Sequence, residues 1–203
     1  MNRDSLFIVK IMIIDDKREA ILNAASVVFS TEGFHNTKLS KVSEIAGIGT
    51  GTVYLYFKNK EAILEELFIR SWSRIENKLN NMKSIRNMTP KQKIAEILAE
   101  IVELAASNTT LAKIILHEYR YWSSGKSDKV SLIVQNINNL LIEIINNGKE
   151  SGDFNASINA EETAVFIIGG VWFYLSFISE NISSADLDKL TNQLSLIIFN
   201  GIC

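Results

Sequence analysis

The apolar positions of this 203-residue chain recur at helical rather than strand spacing. Residues 59–85 carry Ile63, Leu64, Leu67, Phe68, Trp72, Ile75 and Leu79 in that register, which predicts one long helix. Thr89-Pro90 opens the next, because proline suits a first helical turn, and this helix runs to about residue 107. Further helices are predicted over residues 110–123 and 127–151, the second with Ile133, Ile137, Leu140, Leu141, Ile144 and Ile145 on one face. Asn159 caps another, with Glu161 and Glu162 in the first turn where the helix dipole favours them. A last helix enters from Ser183 or Ser184. A single proline in the chain agrees with an all-α fold, a head of three helices followed by a body of about six.

Residues 163–179 contain no charged side chain, which reaches the lower limit of a membrane-spanning length. The flanks, Glu161, Glu162 and Glu180, offer no basic anchor. A helix apolar all round is otherwise a buried one, and a core helix also covered by a second subunit is the expectation. A membrane-attached helical protein is the distant alternative. Within this helix, Gly169-Gly170 permits a close crossing with another helix or makes room for an internal aromatic such as Trp122 or Trp172.

The most specific pattern lies in residues 34–61. A short helix over 38–46, capped by Thr37 or Ser40, shows Leu39, Val42, Ile45 and Ala46 inward and Ser40, Lys41, Ser43 and Glu44 outward. Gly47-Ile48-Gly49 makes a tight turn, with Ile48 filling the angle between the helices. A second short helix over 50–57, capped by Gly49 or Thr50, packs Val53 and Phe57 inward. Two short helices about a glycine turn form a helix-turn-helix, whose second helix enters a DNA major groove. Gly51, Thr52 and Tyr54 then lie near the base edges, while Tyr56, Lys58 and Lys60 face the duplex backbone. On this reading Lys60→Ala lowers affinity for all sequences and flattens the salt dependence by roughly one charge.

The overall charge of −2 hides an asymmetry. Residues 34–60 hold four lysines against one glutamate, whereas residues 61–203 hold 13 basic against 17 acidic side chains. Basic character is therefore confined to the reading head. Two histidines and one cysteine leave little from which to build a metal site or a Cys/His nucleophile pair, and no phosphate-binding loop is present. No enzyme activity, cofactor or metal is expected. Cys203 has no internal partner, in keeping with a reducing cytoplasm. The apolar run over residues 6–14 is too short to span a membrane and reads as an arm folded on the head or as a flexible extension.

At Gly47-Ile48, Gly51-Thr52-Val53-Tyr54, Tyr56-Phe57 and Asn59-Lys60-Glu61 the chain resembles the TetR family of regulators. Ile21, Ala24, Ala25, Phe29, Gly33 and Phe34 extend the match, which covers roughly residues 17–68. Gly49 stands where the family more often has Ser or Ala, and Ser43 where Ala is common. The resemblance implies an extension over 1–14, a DNA-binding domain over 15–60 and an effector-binding and dimerisation domain over 61–203. Thr37, Lys38, Ser40, Thr50, Gly51, Thr52, Tyr54, Tyr56 and Lys60 are the expected DNA-binding residues. It also implies a cytoplasmic homodimer acting on a palindromic operator, usually as a repressor. The dimer interface is then expected at Phe166, Gly169, Gly170, Phe173, Leu187, Leu190, Leu194, Ile197 and Ile198.

Glu118-Tyr119-Arg120 resembles the Glu-Leu-Arg segment of members that respond to fatty acyl-coenzyme A. The expected effector is a long-chain acyl-coenzyme A, or alternatively an unrelated hydrophobic compound of the drug-efflux type. Its candidate residues are Trp72, His117, Tyr119, Arg120, Trp122, Phe166, Trp172 and Phe173. Arg120 suits a phosphate or carboxylate, against the plainer reading of an internal salt bridge with Glu118 or another acid.

Overall fold

The computed structural model describes residues 3–83, 85, 87–107, 109–121, 127–175 and 184–202, without the side chains of 3–15, 116, 119–121, 175, 184 and 185. Among the described residues the regular structure is helical, in nine segments. These are α1 (Arg3–Glu32), α2 (Leu39–Ile45), α3 (Thr50–Tyr56), α4 (Lys60–Lys83), α5 (Pro90–Ser107), α6 (Thr109–Tyr121), α7 (Asp128–Ser151), α8 (Ala160–Leu175) and α9 (Ser184–Ile202). The chain divides into two compact units, Met1–Leu67 and Phe68–Cys203. The boundary falls inside α4, seven residues beyond the sequence-based limit at residue 60.

In the first unit, α2 packs on α1 and on α3. Ile21, Leu22, Ala25, Val28 and Phe29 of α1 are buried with Val42, Val53, Phe57, Ile63 and Leu64. Phe34 meets Phe29 edge to face at 5.2 Å, a favoured aromatic geometry. Arg18 donates through Nε and Nη2 to the two carboxylate oxygens of Glu66 and lies over the Phe57 ring, tying α1 to the first turns of α4. The backbone of residues 3–14 is helical and continuous with the rest of α1. No glycine or proline occurs before Gly33, so nothing in the sequence stops the helix earlier.

The inward face of α2 differs from the expectation. Ser43 is buried and Ile45 is 46% exposed. At about 100° per residue, a residue four beyond Leu39 returns to the same face, whereas one six beyond falls well outside it. The buried stripe therefore runs through Val42 and Ser43, not Ile45.

In the second unit, α9 packs chiefly on α5 and α8 chiefly on α7, while α5 also meets α6, α7 and α8. Helix starts are secured by side chains. Thr89 and Gln92 bond each other's backbone N–H reciprocally at the head of α5. Ser127 caps α7, and Asn159 accepts from the Glu162 N–H at the head of α8. Gly152 ends α7 with φ at +80°, a conformation that favours glycine. The Phe154 ring then seats against Gly148, where an added Cβ would fall 2.1 Å from a ring carbon.

Arg74 and Lys78 of α4 converge on the buried Glu100 of α5, with Glu103 and Glu96 completing the network. Burial alone would lower the Lys78 pKa, but hydrogen bonds and charge attraction to Glu96 and Glu100 outweigh it and raise the pKa above the usual 10.5. Among the described residues, no helix is long and apolar enough to cross a membrane.

Candidate functional site

The turn between α2 and α3 is built as its glycine suggested. Gly47 has φ at +66°, while Gly49 occupies ordinary extended backbone at the head of α3. Neither short helix takes a side-chain N-cap, so the expected capping by Thr37, Ser40 or Thr50 does not occur. Thr37 is buried and its hydroxyl donates back to the Gly33 carbonyl at 2.8 Å. Lys38 holds the N-cap position through its backbone alone.

Ser43 does more than the alanine common at its position. Its hydroxyl donates to the Ser40 carbonyl at 2.7 Å and lies 2.7 Å from the Thr50 hydroxyl. A hydrogen-bonded hydroxyl pair thus fastens α3 to α2. Lys60 makes a second tie. Its ammonium donates to the carbonyls of Phe34 (2.8 Å), His35 (2.6 Å) and Thr37 (3.4 Å) and sits over the Phe34 ring. An ammonium group has three hydrogens, and three carbonyls receive them.

Lys38, Ser40, Gly51 and Tyr54 of the expected DNA-facing set are exposed, and Thr50, Thr52 and Tyr56 are half-buried. Space is open around Gly51, where an added Cβ would meet nothing within 4 Å. Leu55 of α3 is 84% exposed and was missed from the sequence. An apolar residue on so short a helix gave no sign of facing outward.

The second unit holds a cavity of about 190 Å³ lined by Phe68, Trp72, Ile115, Val134 and Asn138, with Val165, Ile168, Gly169 and Trp172 on the α8 side. The indoles of Trp72 and Trp172 stack at 5.5 Å, nearly parallel, and Phe68 stacks on Trp72 at 5.0 Å. Among the described residues, Asn138 Oδ1 and Trp172 Nε1 are buried without a hydrogen-bond partner.

Of the expected effector residues, Trp72 and Trp172 line this cavity. His117 does not, and its exposed ring bonds Glu118 at 3.1 Å. Phe166 and Phe173 face away from the cavity and are 71% and 64% exposed. Trp122 and the side chains of Tyr119 and Arg120 lie outside the described residues. Asn138 and the aliphatic lining were missed, because apolar residues at helical spacing look the same around a cavity as in a filled core.

An apolar surface runs along α8 through Val165, Phe166, Phe173 and Tyr174, and along α9 through Leu196 and Ile197. Gly169 and Gly170 lie exposed on α8 with open space around them, so they do not make room for Trp172. Leu187 and Leu190 are half-buried. Leu194 and Ile198, expected at an interface, are instead buried within the chain. Ile197 and Ile198 are neighbours in sequence and so point about 100° apart, one outward and one inward.

Comparison with known proteins gives these features a family. Residues 21–67 match the family described as bacterial regulatory proteins, tetR family. Residues 87–174 match a tetracyclin repressor-like C-terminal domain. The fatty acid metabolism regulator protein of Bacillus subtilis (strain 168) is 30% identical over 90% of this chain and 93% of its own. The transcriptional repressor KstR of Mycobacterium tuberculosis is 22% identical over 86% of this chain and 76% of its own. The crystal structure of the regulator FadR from Bacillus subtilis in complex with stearoyl-CoA superposes with a TM-score of 0.74 at 28% identity, covering 91% of this chain and 99% of that one. With its N-terminal helix-turn-helix and helical C-terminal body both matched, this chain belongs to the TetR family of bacterial transcriptional regulators.

Proposed function

We propose that the protein is a repressor that binds a palindromic operator as a homodimer and is released by a fatty acyl-coenzyme A. The observation that carries the effector is the apolar, tryptophan-walled cavity of the second unit, taken with the stearoyl-CoA bound by a relative of the same fold. The repressor reading draws support from the relative named as a repressor. The homodimer draws support from the exposed apolar stripe of α8, since patches of this kind mark association surfaces on soluble chains. Twofold symmetry then doubles the few base pairs one short recognition helix contacts.

In this reading Thr50, Thr52 and Tyr54 face bases, while Lys38, Ser40 and Tyr56 meet phosphates. Lys60 acts by holding the loop before α2, because its hydrogens are committed to that loop's carbonyls. An effector lowers operator affinity only if it prefers a body shape that DNA binding disfavours. α4 is the route for this coupling, since it begins in the reading unit and continues into the body.

A second reading is favoured by the size of the cavity. Its volume of about 190 Å³ is close to the roughly 150 Å³ that holds one benzene ring, which suits a compact hydrophobic compound. Titration of the protein's tryptophan fluorescence with stearoyl-CoA, with coenzyme A and with a one-ring aromatic compound separates the two. Saturable binding of stearoyl-CoA, abolished by Val134→Trp in the cavity wall, is the expected result. Binding of the ring compound alone would replace the acyl-coenzyme A reading with the compact one.

A further inference from the structure

The hydroxyl pair at the α2–α3 turn fixes more than an angle; it fixes which atom carries the hydrogen. Ser43 Oγ has one hydrogen, and the Ser40 carbonyl 2.7 Å away can only accept. The hydrogen of Ser43 therefore goes to Ser40. The 2.7 Å contact between Ser43 Oγ and Thr50 Oγ1 still needs a hydrogen, and Thr50 must supply it. Ser43 is buried, so water does not compete for the arrangement. Thr50 is half-buried at the start of α3 and is left with lone pairs but no hydrogen to offer outward.

We infer that Ser43 sets Thr50 as an acceptor-only reader of a base whose amino group faces the major groove. Resting on α3 being the recognition helix, this names the chemistry of one contact on it. In the major groove, adenine N6 and cytosine N4 are donors, while guanine N7 and O6 and thymine O4 are acceptors. Phosphate oxygens are acceptors as well. An oxygen without a free hydrogen pairs with the first group and is mismatched with the other two. Thr50 thus discriminates bases rather than anchoring the backbone, and Ser43 is a positioning residue that acts through it. Chains with alanine at this position lack the device, since alanine leaves the threonine hydroxyl free to turn.

The test is operator selection from a randomised duplex pool with the full-length protein, Thr50→Ala and Ser43→Ala. Ser43→Ala removes a small buried group at a position where the family tolerates alanine, and a retained cooperative melting transition checks its fold. The wild type is expected to select adenine or cytosine at one position per half-site. Thr50→Ala erases that preference and leaves the other positions unchanged. Ser43→Ala weakens it by about fivefold, the net value of one hydrogen bond. Purine in place of adenine there, which lacks only the amino group, lowers wild-type affinity by about the same factor and leaves Thr50→Ala unaffected.

Equal loss of affinity for all sequences in Thr50→Ala would make Thr50 a phosphate ligand and overturn the inference. An unchanged preference in Ser43→Ala would overturn the role of Ser43. Failure of the wild type to select any sequence would remove the reading of α3 itself, a separate and distinguishable result.

Discussion

The two units of this chain are held together by different means. In the first, individual polar groups are fixed to individual backbone atoms: Thr37 to Gly33, Ser43 to Ser40, Lys60 to three carbonyls. Among the described residues of the second, ion pairs link α4 to α5 and α7, and most of the interior is aliphatic and aromatic. That interior leaves a cavity unfilled, and an apolar stripe remains exposed on α8. A surface that reads DNA needs donors and acceptors at set positions, and directional bonds set them. A body that senses a ligand needs space and alternative packings, which non-directional apolar contacts allow.

The largest expected effect concerns the apolar stripe. Phe166→Asp combined with Phe173→Asp places two charges on it without opening the core, because both side chains are exposed. The molecular mass in solution is expected to fall from twice 22.8 kDa to 22.8 kDa. Operator affinity should drop by about 100-fold as two linked contacts become independent. Light scattering and gel shift check the pair of results, and an unchanged mass with unchanged affinity would move the interface elsewhere.

Gly148→Ala tests how tightly the second unit is packed away from its cavity. The added methyl collides with the Phe154 ring, itself buried. A loss of about 3 kcal/mol is expected, at the upper end for overpacking. Chemical denaturation measures it; a loss below about 1 kcal/mol would show that the ring moves aside easily.

Lys60→Met tests the corresponding tie in the first unit. Three hydrogen bonds are lost while the apolar stem remains over Phe34. Affinity should fall for all sequences by about tenfold, from roughly 1 to 1.5 kcal/mol of lost positioning. The slope of affinity against salt should stay constant. A slope shallower by about one charge would show that Lys60 neutralises a phosphate, as the sequence first suggested.

The smallest effect is a pH dependence. The folded pKa of Lys78 lies above its ordinary 10.5, so its stabilising contribution is complete below that pH. The contribution disappears as pH rises through the folded value. Because the side chain is partly exposed, the effect is expected below about 1 kcal/mol. The stability difference between wild type and Lys78→Gln should be flat from pH 7 to 10 and shrink above. A difference that grows above pH 10 would reverse the assigned sign.

Much of the helical plan was legible because its punctuation is chemical. Pro90, Asn159 and Gly152 start or stop helices for reasons that belong to those side chains. Gly47 likewise marks a backbone conformation that favours glycine. Ser43 was misplaced by counting Ile45 into the apolar face, although the four-residue step favours position 43. The Lys60 clamp was not legible, since its acceptors are backbone carbonyls 23 to 26 residues away, which carry no side-chain signature. The cavity was hidden for a related reason. Ile115, Val134 and Ile168 line it at the same helical spacing that fills a core elsewhere, and only packing distinguishes the two.

The most direct measurement is a gel shift on the selected operator duplex at constant salt, titrated with stearoyl-CoA and, in parallel, with coenzyme A. The account predicts specific binding by the wild type, release by stearoyl-CoA and none by coenzyme A. It also predicts that Val134→Trp still binds the operator but no longer responds. Specific binding that ignores stearoyl-CoA at concentrations saturating the tryptophan signal would contradict the proposed coupling between cavity and reading head.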